Sequence, residues 1–197
     1  MTDEVITVGD SLFGSTVERL GCCTEQLNNS GQIVFGTSLS NGTSALVRAD
    51  PTIEGTKNRD FLRGTANNER INGLEGKDLL FGLNGKDTLS GGAGKDRLFG
   101  NNDDDVLYGG ADNDLLFGGR GDDEFVLKQG DGRDTVFDYR DGTDSFLLAD
   151  GLTFEDLTIT KGVGQSLISV TDTGEELASL IGVQTNVIGA EDFTTLV

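Results

Sequence analysis

Histidine and tryptophan are absent from this 197-residue chain, proline and methionine occur once each, and cysteine twice. Without histidine, Ser-His-Asp and Cys-His catalysis lack their base, and zinc and similar metals lose their commonest ligand. The two cysteines, Cys22 and Cys23, are adjacent. Sequence neighbours do not readily satisfy disulfide geometry and no framework spacing exists, so they read as incidental thiols. Long apolar runs are missing too: nothing approaches the ~18 residues of a membrane span. "MTDEVITVGDSLFG" has neither the basic start nor the apolar stretch of a cleaved signal peptide. Positive charge is scarce, with 15 basic against 34 acidic residues and a net charge of −19. That balance repels nucleic acid and anionic membrane surfaces and favours cations.

What the chain has in abundance is glycine, 30 residues of it, about twice average usage. Aligned on glycine, residues 55–126 form eight gapless nonamers: GTKNRDFLR, GTANNERIN, GLEGKDLLF, GLNGKDTLS, GGAGKDRLF, GNNDDDVLY, GGADNDLLF and GGRGDDEFV. A fixed period of this kind marks a repeat architecture. Position one is always Gly. Position four is Asn58, Asn67, Gly76, Gly85, Gly94, Asp103, Asp112 and Gly121, the residue types that tolerate a left-handed backbone. Position six is Asp60, Glu69, Asp78, Asp87, Asp96, Asp105, Asp114 and Asp123. Position eight is Leu62, Ile71, Leu80, Leu89, Leu98, Leu107, Leu116 and Phe125. With 35% apolar residues overall, eight apolar hits in eight arise by chance about twice in ten thousand trials. A disordered Gly/Asp linker needs no apolar column at all.

Each nonamer therefore predicts a six-residue turn and a three-residue strand whose middle side chain points inward. Glycine density excludes helix, because each interior Gly costs ~1 kcal/mol relative to Ala. Two nonamers make one coil, and stacked coils build two facing parallel sheets. The expected fold is all-β: a parallel β-roll with a β-rich segment before it (residues 1–54) and a β cap after it (127–197). The segments "VITVGDSL", "QIVFGTSL" and "TSALVRA" in the first, and "DTVFDY", "DSFLLA", "DLTITK", "QSLISVTD" and "LASLIGV" in the second, read as strands between turn signals.

Position-six carboxylates 18 residues apart fall one coil apart, about 4.8 Å, on the same edge of such a roll. Asp60, Asp78, Asp96 and Asp114 share one edge; Glu69, Asp87, Asp105 and Asp123 share the other. Neighbouring carboxylates at that spacing repel each other and raise each other's pKa. A cation between them turns repulsion into attraction. Carboxylates and glycine-turn carbonyls, with no imidazole or suitable thiol, are the hard oxygen set of Ca²⁺; Mg²⁺ prefers to keep its water and a rigid octahedron. Eight interior side chains at ~1.5–3 kcal/mol each do not offset the ordering of the repeats at about 1–2 kcal/mol per residue, so folding is expected to depend on the metal.

The nonamers follow the pattern G-G-x-G-x-D-x-U-x, and residues 55–126 resemble the RTX, or haemolysin-type, calcium-binding repeats. The resemblance implies a parallel β-roll that binds Ca²⁺ through the position-six acids and turn carbonyls. Carried over here, the acids are Asp60, Glu69, Asp78, Asp87, Asp96, Asp105, Asp114 and Asp123. The turn glycines are Gly73, Gly82, Gly91, Gly92, Gly94, Gly100, Gly109, Gly110, Gly118, Gly119 and Gly121. "GDGRDTVF" extends the column to Asp134 as a degenerate ninth turn, and "GTDSF" to Asp144. Glu69 is one methylene too long, and position two is Gly only at Gly92, Gly110 and Gly119, which places weaker binding in the first two repeats. Pairing along both edges gives six sites, or seven with Asp134.

Free Ca²⁺ is scarce in cytosol and plentiful outside cells, so the expected location is extracellular. Similar proteins leave through a type I secretion apparatus that reads an uncleaved C-terminal signal, and "GAEDFTTLV", with Glu191 and Asp192, resembles one. Gly9-Asp10-Ser11-Leu12 resembles the first block of the GDSL esterases, but Ser11 has no histidine to take its proton; no enzymatic activity is expected. Residues 27–51 resemble a unit of secreted β-repeat proteins, and residues 1–50 read as the last piece of a larger array or a cap on the roll. Two further readings remain: the targeting portion of an extracellular hydrolase or toxin, and a surface adhesion component that self-associates with calcium.

Overall fold

Alternation of inward and outward side chains over three to six residues, repeated every nine, is what the backbone delivers. The computed structural model describes residues 52–196 in full and, before them, the backbone of five strands: β1 (Ser11–Leu12), β2 (Ser15–Leu20), β3 (Gln26–Leu27), β4 (Ile33–Leu39) and β5 (Ser44–Ala49). These five pair antiparallel within a first unit, Met1–Pro51. The side chains of the Gly9–Leu12 motif, of Cys22 and Cys23, and of the 27–51 repeat unit lie outside the described residues.

The second unit, Thr52–Val197, opens with β6 (Thr52–Glu54), β7 (Phe61–Arg63) and β8 (Arg70–Asn72). Longer strands follow: β9 (Leu79–Leu83), β10 (Thr88–Ala93), β11 (Arg97–Asn102), β12 (Val106–Ala111) and β13 (Leu115–Arg120). Then come β14 (Glu124–Leu127), β15 (Asp134–Val136), β16 (Ser145–Leu148), β17 (Leu157–Lys161), β18 (Gln165–Val170), β19 (Glu176–Ile181) and β20 (Phe193–Thr195). Within this unit the even-numbered strands other than β18 stack as β6-β8-β10-β12-β14-β16-β20, all parallel. Odd-numbered strands stack in parallel as β7-β9-β11-β13-β15-β19, and β18 and β17 then extend that sheet antiparallel. The result is a parallel β-solenoid with no α-helix among the described residues; the only helical pieces there are 3-10 turns at Phe154–Asp156, Thr185–Val187 and Ala190–Asp192.

The strands in the middle coils are longer than the three residues the nonamer implies. Gly92 pairs with Gly110 and Ala93 with Ala111, so the ladder runs on through positions one to three of the next repeat. The extra pairing is possible because position two lies in the left-handed region: Gly92 has φ 100°, Gly110 95° and Gly119 108°. There the chain turns a corner without leaving the sheet. Leu74 (φ 75°) and Leu83 (φ 86°) occupy the same column, where a side chain costs about 1–2 kcal/mol. Leu74 is 38% exposed and takes no part in the buried core. Leu74→Gly is therefore expected to raise the thermal midpoint in saturating calcium by a few degrees, read by circular dichroism; a lowered midpoint would contradict the strain.

Position eight forms the core. Ile71, Leu80, Leu89, Leu98, Leu107, Leu116 and Phe125 are all fully buried, and Val136, Phe146 and Leu148 continue the row beyond the nonamers. Position nine of the odd-numbered sheet carries a second row on its outer face. Phe81, Phe99, Phe117 and Phe137 stack with centroids 4.8, 4.6 and 4.6 Å apart, contacts worth ~0.5–1.5 kcal/mol each beyond burial. The far end is closed by residues 185–195. Phe193 stacks on Phe146 at 5.2 Å, and Asp192 is buried with its Oδ2 accepting the Gly189 amide at 2.7 Å. The segment that resembles an export signal is thus packed into the roll's last coil.

Candidate metal centre

Position six follows a turn and precedes a strand, so its side chain lies under the turn of its own repeat, between coils. The Oδ1 atom of each Asp accepts the backbone amide of the position-six residue one coil earlier. Along one edge, the amides of Asp60, Asp78, Asp96 and Asp114 donate to Asp78, Asp96, Asp114 and Asp134 at 2.8, 2.7, 2.7 and 3.0 Å. Along the other, the amides of Glu69, Asp87, Asp105 and Asp123 donate to Asp87, Asp105, Asp123 and Asp144 at 2.7, 2.8, 3.0 and 3.3 Å. Both degenerate turns therefore join the columns, Asp134 after 20 residues and Asp144 after 21.

The second carboxylate oxygens have no such partner. Oδ2 of Asp78, Asp87, Asp96, Asp105, Asp114 and Asp123 is buried and accepts no hydrogen bond. A buried orphan acceptor costs roughly 1–3 kcal/mol, more when charged, and six in a row do not arise without a function for them. Backbone oxygens line the same spaces. A Cβ placed on Gly91 would lie 2.5 Å from Asp96 Oδ2 and 2.5 Å from the Gly109 carbonyl; one on Gly82 would lie 2.5 Å from Asp87 Oδ2 and 2.8 Å from the Gly100 carbonyl. The carbonyls of Gly73, Gly91 and Gly118 face the equivalent points beside Gly55, Gly73 and Gly100. Gly94, Gly110, Gly119 and Gly121 serve differently, as positive-φ corners where a Cβ would strike the preceding coil's carbonyl.

Burial is the first cause of the carboxylates' perturbed acidity. It pushes Asp87 up to about 7, Asp96 to about 6, Asp105 and Asp114 to about 8, Asp123 to about 6 and Asp134 to about 7, and it raises Asp78 as well. The amide donated by the previous coil pulls each back down, and neighbouring acids add a smaller push. Mutual repulsion, the cause expected from spacing alone, is thus secondary to desolvation. The spacing argument places the acids one coil apart on an edge, and the coils close over them so that they are buried.

Asp60 and Glu69 differ from the rest. Asp60 Oδ2 accepts the Thr56 amide and hydroxyl at 2.6 and 2.9 Å, and the Glu69 carboxylate accepts those of Thr65 at 2.8 and 2.5 Å. Protein donors already occupy the oxygens that are orphaned further along. The signal is in the sequence, since threonine stands at position two only in the first two repeats. Among the described residues no three acids, cysteines or histidines converge on one point. A cation between coils would accordingly rest on one or two carboxylates and take its remaining oxygens from the backbone, a donor set that fits Ca²⁺.

A model of the RTX calcium-binding nonapeptide repeat (4 copies) matches residues 52–80, 63–98 and 90–125. No curated protein is similar to the sequence. Solved structures with a similar chain path include the extracellular lipase LipA from Serratia marcescens, at 14% identity and TM-score 0.36, covering 74% of this chain and 40% of that one. This chain thus spans about two fifths of the length of the lipase. Two subunits of the Azotobacter vinelandii mannuronan C5-epimerase are also similar. AlgE6R2 has 24% identity and TM-score 0.47, covering 74% of this chain and 92% of that one; AlgE6R3 has 23% and 0.40, covering 74% and 86%.

Proposed function

We propose that this chain, whose residues 52–125 match the RTX calcium-binding nonapeptide repeat, is a secreted, non-enzymatic protein whose roll is held together by Ca²⁺ between its coils. The observation that carries this reading is the run of six buried carboxylate oxygens without partners. The ligands are Asp78, Asp96, Asp114 and Asp134 on one edge and Asp87, Asp105 and Asp123 on the other. The carbonyls of the position-one glycines that face the same spaces complete the set. Bound Ca²⁺ would supply the positive charge that lets these acids stay ionised in a dry interior. The protein's part is to hold the oxygens in place through the Oδ1–amide bonds and to keep water out.

Export before folding agrees with this chemistry. At cytosolic calcium the columns stay uncompensated, and an unfolded chain suits a type I secretion apparatus that recognises the C-terminal segment containing Glu191 and Asp192. Outside the cell, calcium orders the coils, and residues 185–195 dock on the last of them. No nucleic acid partner is proposed, given the charge of −19, and no described helix is long and apolar enough to cross a membrane.

Neighbouring ligands pair three times along Asp78, Asp96, Asp114 and Asp134 and twice along Asp87, Asp105 and Asp123, which gives about five ions per chain, since Asp60 and Glu69 already have donors. Isothermal calorimetry of the chelated protein titrated with CaCl₂ checks the count. About five is the expected value; no binding at millimolar calcium would remove the reading.

A further inference from the structure

The two edges of the roll end differently. On the first, Gly132 takes position four of the ninth turn (φ 120°) and packs so closely on the Asp112 carbonyl that a Cβ would collide with it. The stacking of earlier coils simply continues. On the second edge the corresponding residue is Gly142, and nothing lies within 4 Å of the point where its Cβ would sit. At Gly142 the longer loop, 138–144, does not stack on the coil before it and leaves room there, at the end of the column.

One side chain fills that room. Arg140 Nη2 lies 2.5 Å from the Gly121 carbonyl, 3.1 Å from Asp144 Oδ1 and 3.7 Å from Asp123 Oδ2, one of the six orphans. Its backbone amide donates to Asp144 Oδ2 at 2.8 Å. The three oxygens come from a turn carbonyl, the acid of one coil and the acid of the next. Two successive column acids and a turn carbonyl also make up the set proposed for calcium elsewhere on the roll, with the carbonyl here that of the position-four Gly121 in place of a position-one glycine, and the set faces a nitrogen cation belonging to the chain itself. Asp123 and Asp144 are both buried, and among the described residues no other basic side chain forms an ion pair with either.

We propose that Arg140 is a built-in cation that takes the place of a calcium ion between Asp123 and Asp144, closing the second edge of the roll without metal. The substitution for calcium rests on the functional reading above; the ion triad itself does not. A guanidinium is charged at every accessible pH and presents several donors in a rigid plane, so the last coil stays compensated when calcium is scarce. The first edge has no equivalent: Arg133, beside Asp134, pairs with Glu176 instead, at 2.6 Å. The two edges then differ in their metal demand, and the end against which residues 185–195 dock is the end already neutralised.

The test compares the wild-type chain with Arg140→Gln and Arg140→Lys. In calcium calorimetry the Gln variant is expected to bind one ion more than wild type. Its calcium-induced circular dichroism change should need several-fold more calcium, while the Lys variant keeps the wild-type count. Equal counts and equal midpoints in all three overturn the proposal. If Arg140→Gln fails to fold and Arg140→Lys folds, a charge at this place is required and the proposal stands; if both fail, shape rather than charge is what matters and it falls. Should the wild type bind no calcium, the functional reading fails separately, and Arg140 is judged on unfolding in EDTA. There a lower thermal midpoint for Gln but not for Lys supports the plug, and three equal midpoints remove it.

Discussion

In EDTA, the roll is expected to be disordered at pH 8 and to regain its strand content at pH 5, with protons doing what calcium does at higher pH. Folded, metal-free acids at about 7 to 8, such as Asp87, Asp105, Asp114 and Asp134, bind protons across a range where the unfolded chain, with carboxyls near 3.8, binds none. Stability therefore rises as pH falls from about 8 towards 4, the reverse of an ordinary salt-bridged carboxylate. A group at about 7 contributes roughly 2–3 kcal/mol between pH 7 and pH 5. Asp87 and Asp134 sit in different columns, so they alone supply about 5 kcal/mol, comparable to the whole stability of many domains. Protonation also suits the geometry, because a hydroxyl on Asp96 Oδ2 would face the same space as the Gly109 carbonyl. With calcium the slope inverts: each ion needs ionised acids, so binding releases protons and tightens from pH 6 to pH 8. Far-UV circular dichroism in EDTA from pH 8.5 to 5 checks the first half. Strand content that stays flat, or that falls with acid, would refute it.

How much of this could be read in advance depends on which interaction sets each feature. The columns were legible because stacking imposes identity: one residue type every nine positions is a local rule, visible as Leu89, Leu98, Leu107 and Leu116 in register. The cap strands from "DTVFDY" to "LASLIGV" were legible through alternation. Strand length was not, because the pairing of Ala93 with Ala111 depends on how tightly neighbouring coils approach, which no single repeat encodes. Position two as a left-handed corner was hidden by Leu74 and Leu83, residues that local preference keeps out of that conformation and that stacking forces into it. Arg140 was hidden for a related reason. Nothing in "DYRDGTD" says that its arginine folds back 19 residues to the Gly121 carbonyl; the loop's extra length over a nonamer is the one clue.

Asp105→Asn is expected to shift stability in opposite directions with and without calcium. Asp105 stands between Asp87 and Asp123 in its column, so its orphaned Oδ2 serves two proposed sites. With calcium at about a hundred times the dissociation constant, each occupied site adds about 2.7 kcal/mol, and losing two removes roughly 5. Metal-free, the same substitution helps. The amide oxygen keeps the bond from the Asp87 amide, at 2.8 Å in the wild type. The new NH₂ replaces a buried, unpartnered oxygen with a donor beside the Gly118 carbonyl, where a Cβ on Gly100 would lie 2.6 Å from that oxygen. With Asp105 pushed up to about 8, the metal-free wild type must take up a proton there to fold at pH 7, and Asn removes that cost together with the orphan acceptor. The variant should therefore melt higher than wild type in EDTA at pH 7 and far lower in 10 mM calcium, and calorimetry should count about two fewer ions. Asp60→Asn, at a half-buried acid already capped by Thr56, is expected to leave the calcium-saturated midpoint within a few degrees of wild type. A loss of equal size at both positions would mean that the carboxylates matter for the turn alone, and that no metal binds between the coils.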